Sequence, residues 1–351
     1  MAKKSDEYWQ KRFEILQEAL LNKGDEYSAE LVKQYEKASR NIQDKVLVWY
    51  LRLAQNNDVS FARAKQMLTN QELKEFKWSV EEYIKYGQEN ALNQQWIKEL
   101  ENASARVHIS KLEAIQLEIQ QQVETLVGSM EVKVPELLQN IYTEGYYKTA
   151  YELQKGHNIG MDIQKLDTST VEKVMSKPWT ADGKTFSDRI WSNQKQLVDT
   201  LNKELTQSII RGDAPDKVIK TIADKMNVSK KQAGRLVMTE SAAMSSLSRK
   251  ESYIANGVKE YKIVSALDLK TSEICRSLDG KVFKVSDYKI GVTANPFHPN
   301  CRTSTAPHYA DLEDILTGQR AARDFITGKT IYVDDKMTYP EWYERYVKNG
   351  K

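Results

Sequence analysis

The chain has 351 residues, enough for two domains or for one domain with a long appended element. With 40% hydrophobic and 29% charged residues, seven Trp and eighteen Tyr, it carries too much apolar and aromatic material for a disordered chain. Its 52 Lys and Arg barely outnumber its 49 Asp and Glu, and a net charge of +3 excludes bulk basicity as a basis for nucleic-acid binding. Any DNA contact must then come from local patches. Behind the first residues, MAKKSDEYWQKRFE, there is no apolar segment of a secretory signal, so a cytoplasmic site of synthesis is expected. The longest apolar cluster, residues 46–53, is broken by Arg52, and no membrane span is expected. The two cysteines, Cys275 and Cys301, exclude a disulfide-rich scaffold.

Helix breakers are unevenly placed: the first of the seven Pro is Pro135, and only Gly24, Gly87 and Gly128 precede it. Trp9, Phe13, Leu16 and Leu20 follow one helical face, and Leu31, Tyr35, Ala38, Ile42, Val46, Trp49 and Leu53 repeat the pattern. Ser79 and Glu82 are spaced as a capping box before Tyr83 and Ile84. Residues 1–134 therefore read as a helical region. Periodicity weakens over 135–178, which reads as a connecting region containing Gly145, Gly156, Gly160 and a tyrosine cluster. A boundary there predicts that deletion up to Gly128 leaves a soluble C-terminal domain.

From Phe186 the helical pattern returns through Ile190, Leu197, Leu201 and Leu205, with Trp191 expected in the core beside them. It stops at Arg211-Gly212-Asp213 and restarts with Pro215 in a first turn, where the missing N–H costs nothing. Ser229 and Gln232 form a second capping pattern, opening a helix predicted to end at Gly257, a left-handed C-cap residue. Beyond it, 261–267 and 281–285 are short β-rich runs separated by Asp279-Gly280. The fold class is thus α+β: a predominantly helical N-terminal half, then C-terminal helices plus a small β-sheet.

The sharpest local signal is Cys275-Arg276-Ser277-Leu278-Asp279-Gly280, followed by His298-Pro299-Asn300-Cys301-Arg302. Cys275, His298 and Cys301 offer three soft or borderline ligands for Zn, with Asp279 or His308 as a fourth. The same residues also fit a packed turn with buried thiols, a Cys275–Cys301 disulfide, or a Cys–His nucleophile pair. His108 and His157 read as surface or packing residues. Residues 211–262 hold eleven Lys and Arg against six Asp and Glu, and Arg276, Lys281 and Arg302 cluster about the cysteines. These are the candidate contacts to a partner or to nucleic-acid phosphates. No phosphate-binding glycine loop and no His-Glu-x-x-His occurs, which gives nucleotide hydrolysis and metalloprotease chemistry no support.

Those two motifs, with Trp179, the run Phe186-Ser187-Asp188-Arg189-Ile190-Trp191 and the segment Thr239-Glu240-Ser241, resemble the phage Mu F-like, minor head protein family. The resemblance spans about residues 175–309, and places a head-morphogenesis domain at 179–310 with a C-terminal tail at 311–351. Where that family commonly continues Cys-Arg-Cys, this chain has Cys301-Arg302-Thr303. The resemblance implies a non-enzymatic minor capsid component of the virion head. It would be low in copy, assembled in the host cytoplasm with the portal protein and other head proteins, and ejected with the genome. The alternatives are a double-stranded DNA-binding protein ejected into the host and a metal- or Cys/His-dependent enzyme.

Overall fold

A computed structural model describes residues 4–53, 66–90, 93–106, 108–158, 163–309, 319–324, 327, 329–334 and 337–348. Helices dominate: α1 (Asp6–Leu53), α2 (Asn70–Glu89), α3 (Gln94–Ala105), α4 (Lys111–His157), α5 (Thr168–Ser176), α6 (Phe186–Arg211) and α7 (Pro215–Ala255). A small antiparallel sheet follows, as the α+β reading requires. The apolar face predicted for α1 is the buried one, from Trp9 and Phe13 through Ile42 and Val46 to Trp49; the side chain of Leu53 lies outside the described residues.

Several local expectations need correction. The N-cap of α2 is Thr69, in a capping box with Glu72, so Ser79 lies inside the helix and its hydroxyl binds Glu118 instead. Ser229 is likewise interior to α7, hydrogen-bonded to Tyr35 at 3.2 Å, because the helix already starts at Pro215. Residues 135–178 are no plain connector: α4 runs through Pro135 to His157, and α5 follows. A proline inside a helix removes one backbone donor, and burial of Val134, Leu138, Ile141 and Tyr142 around it offsets that loss. Gly212 and Gly257 do take positive φ at the ends of α6 and α7, and Val258 N–H closes α7 by donating to Tyr253 O at 2.9 Å.

Trp191 is 36% exposed, not core. The buried stripe of α6 is Ile190, Gln194, Leu197, Leu201 and Leu205, and one residue past Ile190 lies about 100° around the helix from that stripe. Trp191→Ala should therefore shift the unfolding free energy by less than about 1 kcal/mol, a value that urea titration of the full chain can check.

The residues group into two compact units that are discontinuous in sequence. One comprises Met1–Tyr27, Pro135–Thr185 and Arg235–Lys351, and the other Ser28–Val134 and Phe186–Gly234. In the second, helical unit, α4 carries a buried polar seam: Glu118 takes hydrogen bonds from Ser79 and Tyr83, Gln121 accepts from Trp96 Nε1 at 2.6 Å, and Glu124 accepts from Gln194. Desolvation holds the Glu124 carboxyl above its ordinary value.

In the first unit, parts of α1, α4 and α7 pack closely because small residues face one another. A Cβ at Gly24 would stand 2.7 Å from Ser241 Oγ, and one at Gly145 would overlap Ser248 Oγ. The sheet places β1 (Glu260–Val264) between β2 (Val282–Lys284) and β3 (Ser304–His308). Glu260 sits opposite Lys284 on one side and His308 on the other, and Val264 opposite Ser304. The core beneath it gathers Tyr253, Tyr261, Ile263, Val264 and Tyr288 with Trp9 and Phe13 from α1. A domain that borrows two aromatic residues from the first turns of the chain does not fit the expectation that residues beyond Gly128 stand alone. The segment expected as a tail contains a hairpin, β4 (Gln319–Arg323) with β5 (Thr330–Asp334), and a short helix, Tyr339–Trp342. These bury Ala322, Val333, Tyr339 and Trp342 against Leu267. Residues 311–318, 325–326, 328, 335–336 and 349–351 of that tail lie outside the described residues.

Asp6 fastens the start of α1 to the sheet through Lys262 Nζ and His308 Nδ1, each at 3.2 Å. Burial pushes its carboxyl up, but the hydrogen bond from His308 and the Lys262 charge outweigh this and hold it below its ordinary value. A depressed carboxyl stabilises the fold above its unfolded pKa, and that stability is lost as pH falls through the folded value. Below pH of about 4 the chain should accordingly lose stability more steeply than Asp6→Asn, which has no such carboxylate to protonate. Identical acid limbs in the two melting-temperature profiles would contradict this.

Candidate metal centre

The Cys275 motif follows β1 directly. Ser272 caps a short helix, α8 (Glu273–Leu278), accepting a hydrogen bond from Cys275 N at 3.4 Å, so Cys275 stands in the first turn. Asp279 ends the helix and Gly280 turns the chain at φ +76° into β2. Both carboxylate oxygens of Asp279 are committed, one accepting from Ser265 N at 2.8 Å and the other from Tyr339 N at 3.0 Å. The Asp279-Gly280 pair thus sets the bend and ties the sheet to the C-terminal helix.

The second motif lies just before β3. Because Ser304 is paired with Val264, the start of β3 and the end of β1 share one end of the sheet, and Cys301 arrives beside α8. The two sulfurs are 3.6 Å apart, and Cys275 Sγ is 3.2 Å from His298 Nε2. All three candidate ligand atoms fall within 4.8 Å of one another. Both cysteines are buried free thiols and His298 is half-buried. A sulfur separation of 3.6 Å is far above the roughly 2.05 Å of a disulfide.

The ring of His298 is oriented by its own neighbour. Nδ1 lies 2.8 Å from the Pro299 carbonyl, which only accepts, so Nδ1 carries the proton and Nε2 presents its lone pair to the sulfurs. The thiols also bias each other: the hydrogen bond from Cys275 pulls Cys301 down to about 5, aided by the Phe297 and Thr303 amides, while the same pairing and burial push Cys275 far up.

Of the two residues named as a fourth ligand, neither joins the group. Asp279 is used by backbone amides, and His308, at the far end of β3, faces Asp6. The arginines are similarly occupied. Arg302 clamps Asp268 with two bonds of 2.8 and 2.9 Å, and these overcome burial to hold the Asp268 carboxyl below its ordinary value. Arg276 donates to Thr271 O at 2.7 Å and lies 4.7 Å from the centre of the Tyr339 ring. Lys281, by contrast, extends into solvent from the turn that leads into β2. In the basic stretch 211–262, Arg211 and Lys217 flank Asp213, Lys225 meets Glu204, Lys230 meets Glu36, Lys262 meets Asp6, and Arg249 is fully buried.

Of the remaining motif residues, Trp179 and the Thr239-Glu240 pair meet the same region. Trp179 Nε1 donates to Glu240 at 2.8 Å, and Thr239 Oγ1 accepts from Asn300 N at 3.3 Å, holding the histidine loop against α7. Residues 199–306 match the family described as Phage Mu protein F like protein. The chain carries a domain of the phage Mu F-like family. The matched span contains Cys275, His298 and Cys301 and stops within β3. Among curated proteins it is similar to the NAD(+)--arginine ADP-ribosyltransferase EFV of Enterococcus faecalis (strain ATCC 700802 / V583), 21% identical over 225 residues. That alignment covers 59% of this chain and only 44% of the relative's length. No solved structure matches the chain. Among the described residues, no helix is long and apolar enough to cross a membrane.

Sequence reasoning misses Ser272, Asp268, Thr303 and Arg249. Ser272 is detectable as an N-cap three residues before Cys275. The partners of the others are set by tertiary packing and leave no local pattern.

Proposed function

We propose that this protein is a minor head component of a tailed phage, built into the head during assembly and acting structurally rather than as an enzyme. The observation that carries this reading is the Mu F-like match over 199–306, a phage head-type family. Within that reading the chain is low in copy, contacts the portal and other head proteins, is assembled in the host cytoplasm and leaves with the genome. The relative's ADP-ribosyltransferase name gives no support of its own to an enzymatic reading, because more than half of that protein lies outside the shared span. The DNA-binding alternative is weakened by the pairing of most cations in 211–262 with acids or inside the fold.

Co-expression of the tagged chain with the portal and scaffold proteins of its own phage tests the reading. Recovery of portal protein in stable complex is expected. Recovery of no head protein, together with retention on double-stranded DNA that falls steeply with salt, would overturn it in favour of the DNA-binding alternative.

A further inference from the structure

We propose that Cys275, His298 and Cys301 hold one zinc ion whose fourth coordination position is open to solvent. The inference is independent of the head-assembly reading. Ligands on a tetrahedral zinc, with bonds of about 2.0–2.3 Å, stand roughly 3.3–3.8 Å apart. The observed separations of 3.6 Å between sulfurs and 3.2 Å from Cys275 Sγ to His298 Nε2 already approach that spacing, and the third lies within 4.8 Å. Little movement closes the set on an ion.

Two further features fit a ligand set better than a packed turn. The Pro299 carbonyl fixes the His298 tautomer that leaves Nε2 free to coordinate, the usual device by which metal-binding imidazoles are oriented. The site also joins two segments 26 residues apart, so an ion here would staple the α8 turn to the start of β3. On binding, the thiol protons leave to solvent and the sulfurs' lone pairs go to the metal. Among the described residues no further His, Cys, Asp or Glu joins the three, and His298 is only half-buried, so the fourth position is assigned to water.

The test uses the full chain purified under reducing conditions. Elemental analysis should find one zinc per chain, released when a mercurial reagent blocks the thiols. Cobalt should substitute with thiolate-to-metal charge-transfer bands, and its visible bands should shift when a small thiol is added. Absence of zinc with both thiols freely titrating, or a Cys275–Cys301 disulfide in its place, overturns the site; cobalt bands that do not move on adding thiol overturn the open position. Since Cys301→Ser also disturbs the core, His298→Ala serves as a second variant. It should keep the helical signal yet lose zinc to a chelator that the parent resists, with His298→Cys restoring retention. Retention by His298→Ala equal to the parent would overturn the assignment.

Discussion

A chain beginning at residue 28 is expected to lose the cooperative unfolding of the sheet-bearing unit, although every strand and both cysteine motifs remain in it. The first turns of α1 are structural members of that unit. Trp9 and Phe13 are fully buried in its core; the Trp9 ring centre lies 5.0 Å from that of His157 and 5.7 Å from that of Tyr309, and the Phe13 ring centre lies 5.8 Å from that of Tyr253. Ser304 of β3 donates to Phe13 O at 3.2 Å, and Gln17 accepts from Ser245 and Arg249, each at 2.8 Å. Loss of one large buried aromatic typically costs about 3–5 kcal/mol, and a domain has only about 5–15 kcal/mol in total. Removing two, with the polar contacts, exhausts that margin. Near-ultraviolet circular dichroism and limited proteolysis should find tertiary signal lost and the region after residue 235 cut rapidly. A truncated chain melting within a few degrees of the parent would show that the segment is dispensable.

Arg249→Ala should destabilise the chain by on the order of 3 kcal/mol or more, because a large buried side chain and several hydrogen bonds disappear together. The guanidinium is fully buried and donates to Ser304 Oγ at 2.7 Å, Gln17 Oε1 at 2.8 Å and Thr305 O at 3.3 Å, all neutral acceptors, while resting 5.4 Å from the centre of the Phe13 ring. It connects α7, β3 and the start of α1 at one point. Arg249→Lys keeps the charge but presents a single ammonium to acceptors arranged for a planar fork, so partial recovery is expected. Equilibrium urea unfolding of the three chains decides; a cost below about 1 kcal/mol for Arg249→Ala would mean the network contributes rigidity and not stability.

What can be read from the residues follows from periodicity and spacing. The apolar repeat on α1 names the side chains that are buried, Gly212 and Gly257 mark two helix ends, and the Cys275, His298 and Cys301 spacing anticipates that these three side chains come together. The failures share a cause. Ser79 and Ser229 have cap-like spacing but lie inside helices that begin earlier, because a capping pattern says nothing of which candidate start packing selects. Pro135 has the chemistry of a boundary, yet the buried face continues through it and α4 with it. Its place in the helical run with Ile190 and Leu197 suggests a core position for Trp191, whereas its angle on the helix decides its exposure. Asp279, His308, Arg276 and Arg302 have the right chemistry for ligands or phosphate contacts, but their partners, the Ser265 and Tyr339 amides, Asp6, Thr271 and Asp268, are set by the sheet and the C-terminal helix. No local pattern encodes those pairings.

The proposal that this chain, with its Mu F-like span, is a component of a phage head is tested most directly by quantitative mass spectrometry of purified heads and tails from the phage that encodes it. The chain should be found in heads that contain portal protein, in a number of copies far below that of the major capsid protein, and not in separated tails. Its absence from heads, with the protein abundant in infected cells, would contradict the account.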